Sequence, residues 1–162
     1  EEYALLGRFI SRRAQLELVP LRPDELVVAC PPDHALARRA RVAPARLAGE
    51  RFIAFDRDIP TRRLVDKFLR AHGAAAVVTM ELDNIETIKR SVEAGLGVSI
   101  LPRPALENEV KAGTLVALPL ASGRLTRPLG LIHRRGRELS GAAQAFLETL
   151  RRDLGDDGGP AP

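Results

Sequence analysis

Two short stretches carry the residues best placed to do chemistry, and both read as strand-to-helix corners. The first is Asp83-Asn84-Ile85. Ahead of it Val78, Met80 and Leu82 alternate with Thr79 and Glu81, the period of a strand with one buried face. Behind it Ile85, Ile88 and Val92 recur at helical spacing, and Gly95 follows the last of them. Asp83 is placed to cap that helix, with Glu86 three residues on as a capping box requires. Where a helix starts at the carboxyl end of a strand, its unpaired backbone N–H groups face whatever binds there. Those groups, the Asn84 amide and the apolar Ile85 suit contact with a small molecule. The plainer alternative is that Asp83 only caps and Asn84 is only solvated.

The second corner lies at residues 56–63, DRDIPTRR, after the apolar run FIAF (52–55). Leu64, Val65, Phe68 and Leu69 mark the helix that follows, and Gly73 ends it. Asp58 or Thr61 is expected to cap it, and Pro60 suits its first turn. Arg57, Arg62 or Arg63 is able to pair with an anionic group, unless these are surface charges. Two such corners in one sheet would lie side by side and grip one molecule.

Other chemistry finds less support. Cys30 sits inside the apolar run LVVAC (26–30) and reads as a packing residue. The three histidines, His34, His72 and His133, are far apart, with no cysteine or carboxylate at ligand spacing, so no metal and no cofactor is expected. No Ser-His-Asp or Cys-His order stands out, and an enzyme would need a supported nucleophile or acid–base pair. A single cysteine excludes an internal disulfide.

Composition narrows the classes further. With 162 residues, 45% of them hydrophobic, the chain is long enough for one domain or two small lobes with a real core. Only 4% are aromatic and there is no Trp, which argues against a stacking platform for nucleic acid. The net charge of +4 comes from scattered arginines such as Arg38-Arg39, Arg62-Arg63, Arg134-Arg135 and Arg151-Arg152, a solvated surface rather than a nucleic-acid stripe. No run approaches a membrane span and no signal peptide is visible, so a soluble, cytoplasmic protein is expected.

The elements that must hold the corners follow in order. Residues 1–14 offer a short strand and loop. The run at 26–30 is continuous, as a strand covered on both faces would be, and Pro31-Pro32 stops it at a hinge or lobe boundary. Residues 44–47 begin a short helix ending at Gly49. The segment 98–101 is a strand stopped by Pro102 and Pro104, completing a right-handed strand–helix–strand crossover with parallel strands. A short helix at 105–112 closes at Gly113. Strands are expected at 115–120 and 129–133, with a loop between them at 121–127. Ser140 caps a last helix whose Phe146, Leu147, Leu150 and Leu154 form its inner stripe. The tail 156–162 is expected to be disordered.

The ordered set VPLRPDELVVACPPDHALA, LAGERFIAFDR, MELDNIETIKRSVEAGLGVSILP, GTLVALPL and RPLGLIHRRGRELSGAAQAFLETLR resembles the effector-binding domain of LysR-type transcriptional regulators, across residues 16–153. The resemblance implies an α/β, two-lobed fold like a type 2 periplasmic binding protein, each lobe a small sheet flanked by helices, with a small co-inducer in the cleft. It places the crossovers near 30–33 and 101–103. Residues 1–32 with 103–155 then form lobe I, incomplete in this chain, and 33–102 form lobe II. The family's winged helix-turn-helix, its linker helix and most of the first lobe's opening segment are not among these residues. The ligand contacts it implies are Ile59, Pro60, Thr61 and Arg62 at one turn, and Asn84 and Ile85 at the other. It further implies a homodimer or homotetramer, a small-molecule effector, which the arginines of the second corner would allow to be anionic, and DNA contact only through the winged helix-turn-helix. The rival readings are a solute-binding protein of a transport system, an enzyme, and a DNA-binding module whose binding would be salt-sensitive.

Overall fold

The computed structural model describes residues 16–136 and 139–154. The expectations for residues 1–14 and 156–162 lie outside those residues. Strands β1 (Leu16–Cys30), β2 (Arg51–Phe55), β3 (Val77–Leu82), β4 (Ser99–Pro102), β5 (Val116–Leu118) and β6 (Leu125–Arg134) alternate with helices α1 (Pro60–Ala71), α2 (Ile85–Glu93), α3 (Glu107–Ala112) and α4 (Gly141–Leu154). Short 3-10 turns occupy Ala35–Arg38, Pro44–Leu47 and Arg103–Leu106. The chain divides into two compact units, Glu25–Arg127 and the remainder on either side of it.

The unit Glu25–Arg127 is built on the apolar runs. β1 pairs antiparallel with β4, Leu26 opposite Pro102 and Ala29 opposite Ser99, and with β5 on its other side. β2 pairs parallel with β3, and Phe52 makes a parallel bridge to Val98. The β3–α2–β4 crossover therefore joins segments of the same sense with β2 lying between them.

Burial explains why LVVAC and FIAF are continuous rather than alternating. Leu26, Val28, Cys30, Phe52 and Ala54 pack with Val65 and Leu69 of α1 in one cluster. Val27, Ala29, Ile53 and Phe55 pack with Ile88 and Val92 of α2 in the other. Each strand thus feeds both faces, and a helix covers each. Burying a large aliphatic side chain in this way contributes about 1.5–3 kcal/mol.

Several expectations fail for physical reasons. β1 reaches back beyond the expected run 26–30 to Leu16, through Pro20 and Pro23, and β6 starts at Leu125 and passes through Pro128, so residues 121–127 are not all loop. Prolines are tolerated where their missing N–H faces away from the ladder. In β3, Val78, expected on the buried face with Met80 and Leu82, is exposed. The register slips there, with Phe52 opposite Val78 but Ile53 opposite Met80, so the bulge at Thr79 breaks the alternation.

In the other unit β6 pairs with β1, and Ser140 caps α4, its Oγ accepting from the Ala143 N–H at 3.3 Å. Leu147 is buried, but Phe146 is 60% exposed and does not belong to the inner stripe. Adjacent helical residues point about 100° apart, and here only Leu147 of the two turns inward.

Candidate functional site

The two corners are brought together by the parallel pairing of β2 and β3. Phe55 lies opposite Leu82, and the Asp56 N–H donates to the Leu82 carbonyl at 3.0 Å. Both strands therefore end at the same level, and α1 and α2 begin just beyond them.

At the first corner the chain turns tightly, the Ile59 N–H donating to the Asp56 carbonyl at 3.1 Å and the Arg62 N–H to the Ile59 carbonyl at 3.0 Å. Ile59 is the N-cap of α1 and Pro60 its first helical residue, so no side chain caps this helix and neither Asp58 nor Thr61 has the expected role. Proline at that position loses nothing, because its N–H would be unpaired anyway. Ile59 is half-buried against the cluster that holds Phe55 and Ile88, and Pro60 is exposed.

At the second corner Asn84, not Asp83, caps the helix. Its Oδ1 accepts from the Glu86 N–H at 2.8 Å and the Thr87 N–H at 3.4 Å. With the cap one residue later, Glu86 is too early to close a capping box, and it pairs instead with Lys89 Nζ at 2.9 Å. Asn84 is exposed, and Ile85 packs half-buried on the same cluster as Ile59.

Arg62 is buried, which the sequence did not suggest for a cation. Its Nε lies 3.0 Å from both Asp66 carboxylate oxygens, and its Nη1 donates to the Phe55 carbonyl at 2.7 Å and to Glu81 Oε1 at 3.2 Å. Burial opposes its charge, but the bonds to Asp66 and Glu81 outweigh burial and raise its pKa further. Glu81 also accepts from Arg57 Nε at 3.1 Å, and Arg57 and then Arg62 hold its carboxyl below the usual range. Arg62 therefore ties α1 to the ends of β2 and β3.

Thr61 is 8% exposed, and its Oγ1 lies 3.5 Å from Arg127 Nη1. Sequence reasoning missed Arg127. The contact joins residues 66 apart in the chain, and no local pattern announces it.

No catalytic set is assembled around these residues. The Cys30 thiol is buried, and burial, followed by Asp33 and Glu50, pushes it up to about 11, which keeps it from acting as a nucleophile. His34 Nδ1 accepts from the Leu36 N–H, and its Nε2 lies 3.5 Å from Glu50, a capping role. Among the described residues no three His, Cys, Asp or Glu are placed to hold a metal. Nor is any described helix long and apolar enough to cross a membrane.

Known proteins of the same pattern are regulators. The profile of the LysR substrate binding domain matches residues 3–155. The HTH-type transcriptional regulator YeiE of Escherichia coli K12 is 43% identical over 131 residues, 80% of this chain and 44% of the relative. The RuBisCO operon transcriptional regulator of Allochromatium vinosum is 34% identical over 137 residues, 85% of this chain and 45% of the relative. This chain thus spans less than half the length of these relatives. The regulatory domain of CcmR from Synechocystis PCC6803, solved in complex with 2-PG, superposes with a TM-score of 0.76 at 27% identity, covering 88% of this chain and 69% of that one. These relatives are transcriptional regulators rather than enzymes, and the fold is the α/β, type 2 periplasmic-binding-protein-like one expected from the sequence. The chain belongs to the family of LysR substrate-binding domains.

Proposed function

We propose that this chain is the ligand-sensing region of a LysR-type transcriptional regulator, and that a small-molecule effector bound at the paired helix starts controls transcription. The observation that carries the reading is the register of β2 and β3, which sets the first turns of α1 and α2 beside each other. Ile59, Pro60, Thr61, Asn84 and Ile85 form the contact surface. Arg62 belongs to the same site as its brace.

The effector is a small anion. Two helix N-termini favour negative charge, and 2-PG is the molecule bound to the CcmR domain. Binding shifts the regulator between states only by its differential affinity for them. DNA contact falls to a winged helix-turn-helix outside these residues, in a cytoplasmic homodimer or homotetramer. Residues 33–102 act as one lobe, and 1–32 with 103–155 belong to the other. The antiparallel pairing of Leu26–Ala29 with Ser99–Pro102 supports two crossover segments lying side by side.

A thermal-shift series with 2-PG, phosphate and sulfate tests this reading. A ligand at a hundred times its Kd stabilises by about 2.7 kcal/mol, so the melting temperature should rise with concentration. Thr61→Val and Asn84→Ala should blunt the rise. An equal rise in both variants contradicts the site.

A further inference from the structure

A cavity of about 390 Å³ lies at the far end of β2 from the corners, wholly within the unit Glu25–Arg127. Its size is that of a small-molecule pocket. Arg51 is the first residue of β2 and Phe55 the last, so four strand steps of ~3.3 Å, roughly 13 Å, separate it from the helix starts. Charged groups of both signs line it, Asp33 and Glu50 against Arg51. Pro31 and Ala35 add apolar surface, and the backbone at Gly95 and Gly97 completes the wall.

These charges do not cancel one another. Among the described residues the side chains of Asp33 and Arg51 make no hydrogen bond and no ion pair. The Glu50 carboxylate has His34, whose Nε2 lies 3.5 Å from its Oε2. His34 Nδ1 accepts from the Leu36 N–H at 3.2 Å, so the ring takes the neutral tautomer with its proton on Nε2. A neutral donor leaves the Glu50 charge uncompensated. Both carboxylates also act on one point, for after burial it is Asp33 and then Glu50 that push up the Cys30 thiol.

We propose that this cavity is a second ligand site, separate from the paired helix starts, and that it takes a small zwitterion of the α-amino-acid class. Asp33 and Glu50 hold the ammonium, and Arg51 holds the carboxylate. A carboxylate suits the planar guanidinium fork, which offers it two parallel N–H donors. An ammonium brings three N–H donors, enough for both protein carboxylates at once. A ligand with one charge fits less well. A plain amine is repelled by Arg51, and a plain acid by Asp33 and Glu50.

Isothermal titration of the full chain tests this with leucine, with 3-methylbutylamine, which lacks the carboxylate, and with 4-methylpentanoate, which lacks the amine. Leucine should bind more tightly than either analogue. Loss of a charge-assisted bond predicts that Arg51→Gln weakens leucine by roughly tenfold to a hundredfold and does not weaken the amine. Asp33→Asn and Glu50→Gln should weaken leucine and the amine alike. None of the three variants should change the thermal shift given by 2-PG. Leucine that binds no better than its analogues, or that binds all three variants like wild type, overturns the inference. So does a failure of leucine to bind wild type at millimolar concentration. Variants that lose leucine and 2-PG together place leucine at the helix starts and overturn the second site.

Discussion

Arg62 Nη1 stands 3.2 Å from Glu81 Oε1, so the first turn of α1 is pinned to β3 by a cation that is itself 7% exposed. The same guanidinium holds the Phe55 carbonyl and the Asp66 carboxylate. The corner where α1 begins is therefore braced by a residue the sequence offers as a contact.

Replacing that brace tests its role. Arg62→Met removes the partner of the Asp66 carboxylate and the Phe55 carbonyl and leaves Glu81 with Arg57. Since Asp66 and Glu81 are each about a third exposed, the loss should fall below that of a fully buried pair, at about 2 kcal/mol in urea unfolding. An unchanged midpoint would show that the network contributes nothing.

Asn84 separates capping from recognition. Asn84→Ala removes the acceptor for the Glu86 and Thr87 N–H groups and should cost about 1 kcal/mol. Asn84→Asp keeps that acceptor and adds a favourable charge at the helix start, so stability should hold. Its amide N–H₂ is gone, however, and an added carboxylate repels an anion, so effector response in a reporter assay should fall. A fully responsive Asn84→Asp variant contradicts the assignment of Asn84 to the site.

Lys89 joins α2 to the segment after β4. It is 5% exposed and donates to Glu86, Glu109 and the Ala105 carbonyl at 2.9, 2.9 and 3.0 Å. Lys89→Met leaves Glu109 buried beside its own unpartnered Oε2, and should cost about 3 kcal/mol. The bond from Lys89, opposed by burial, holds the Glu109 carboxyl below its ordinary 4.5. Glu81, held by Arg57 and Arg62, and Glu93, held first by Thr114, are lowered too. A depressed carboxylate stabilises fully above its unfolded value and stops doing so as pH falls through the folded one. Wild type should therefore hold its urea midpoint from pH 7 down to the ordinary carboxylate value and lose stability below it. Glu109→Gln should show a shallower loss. A flat profile down to pH 3 in wild type counts against the network.

Ile88 is fully buried on the inward face of α2, among Ile53, Phe55 and Leu101. Ile88→Ala should cost about 2–5 kcal/mol, and Ile88→Asp, which buries an unpaired charge, should unfold the domain. A cooperative melt of Ile88→Asp at the wild-type temperature would contradict this packing.

What the sequence reveals here depends on how far apart the interacting residues lie. The continuous runs at 26–30 and 52–55 announce strands covered on both faces, because an exposed face would have required alternation. The positions of both corners follow from where strand period gives way to helix period. The cap itself is ambiguous, since Asp83 and Asn84 are adjacent and equally capable, and one residue of displacement dissolves the capping box. The exposure of Val78 comes from a bulge, which leaves no mark on composition. The pairing of Arg62 with Glu81 and of Thr61 with Arg127 is set by tertiary structure alone.

The central claim is best probed by mapping backbone amide shifts of the labelled chain during titration with 2-PG and, separately, sulfate. The account predicts saturable shifts clustered at Thr61, Arg62, Ile85 and Glu86, the first turns of α1 and α2. Saturable shifts that leave those four amides unmoved and gather elsewhere would contradict it.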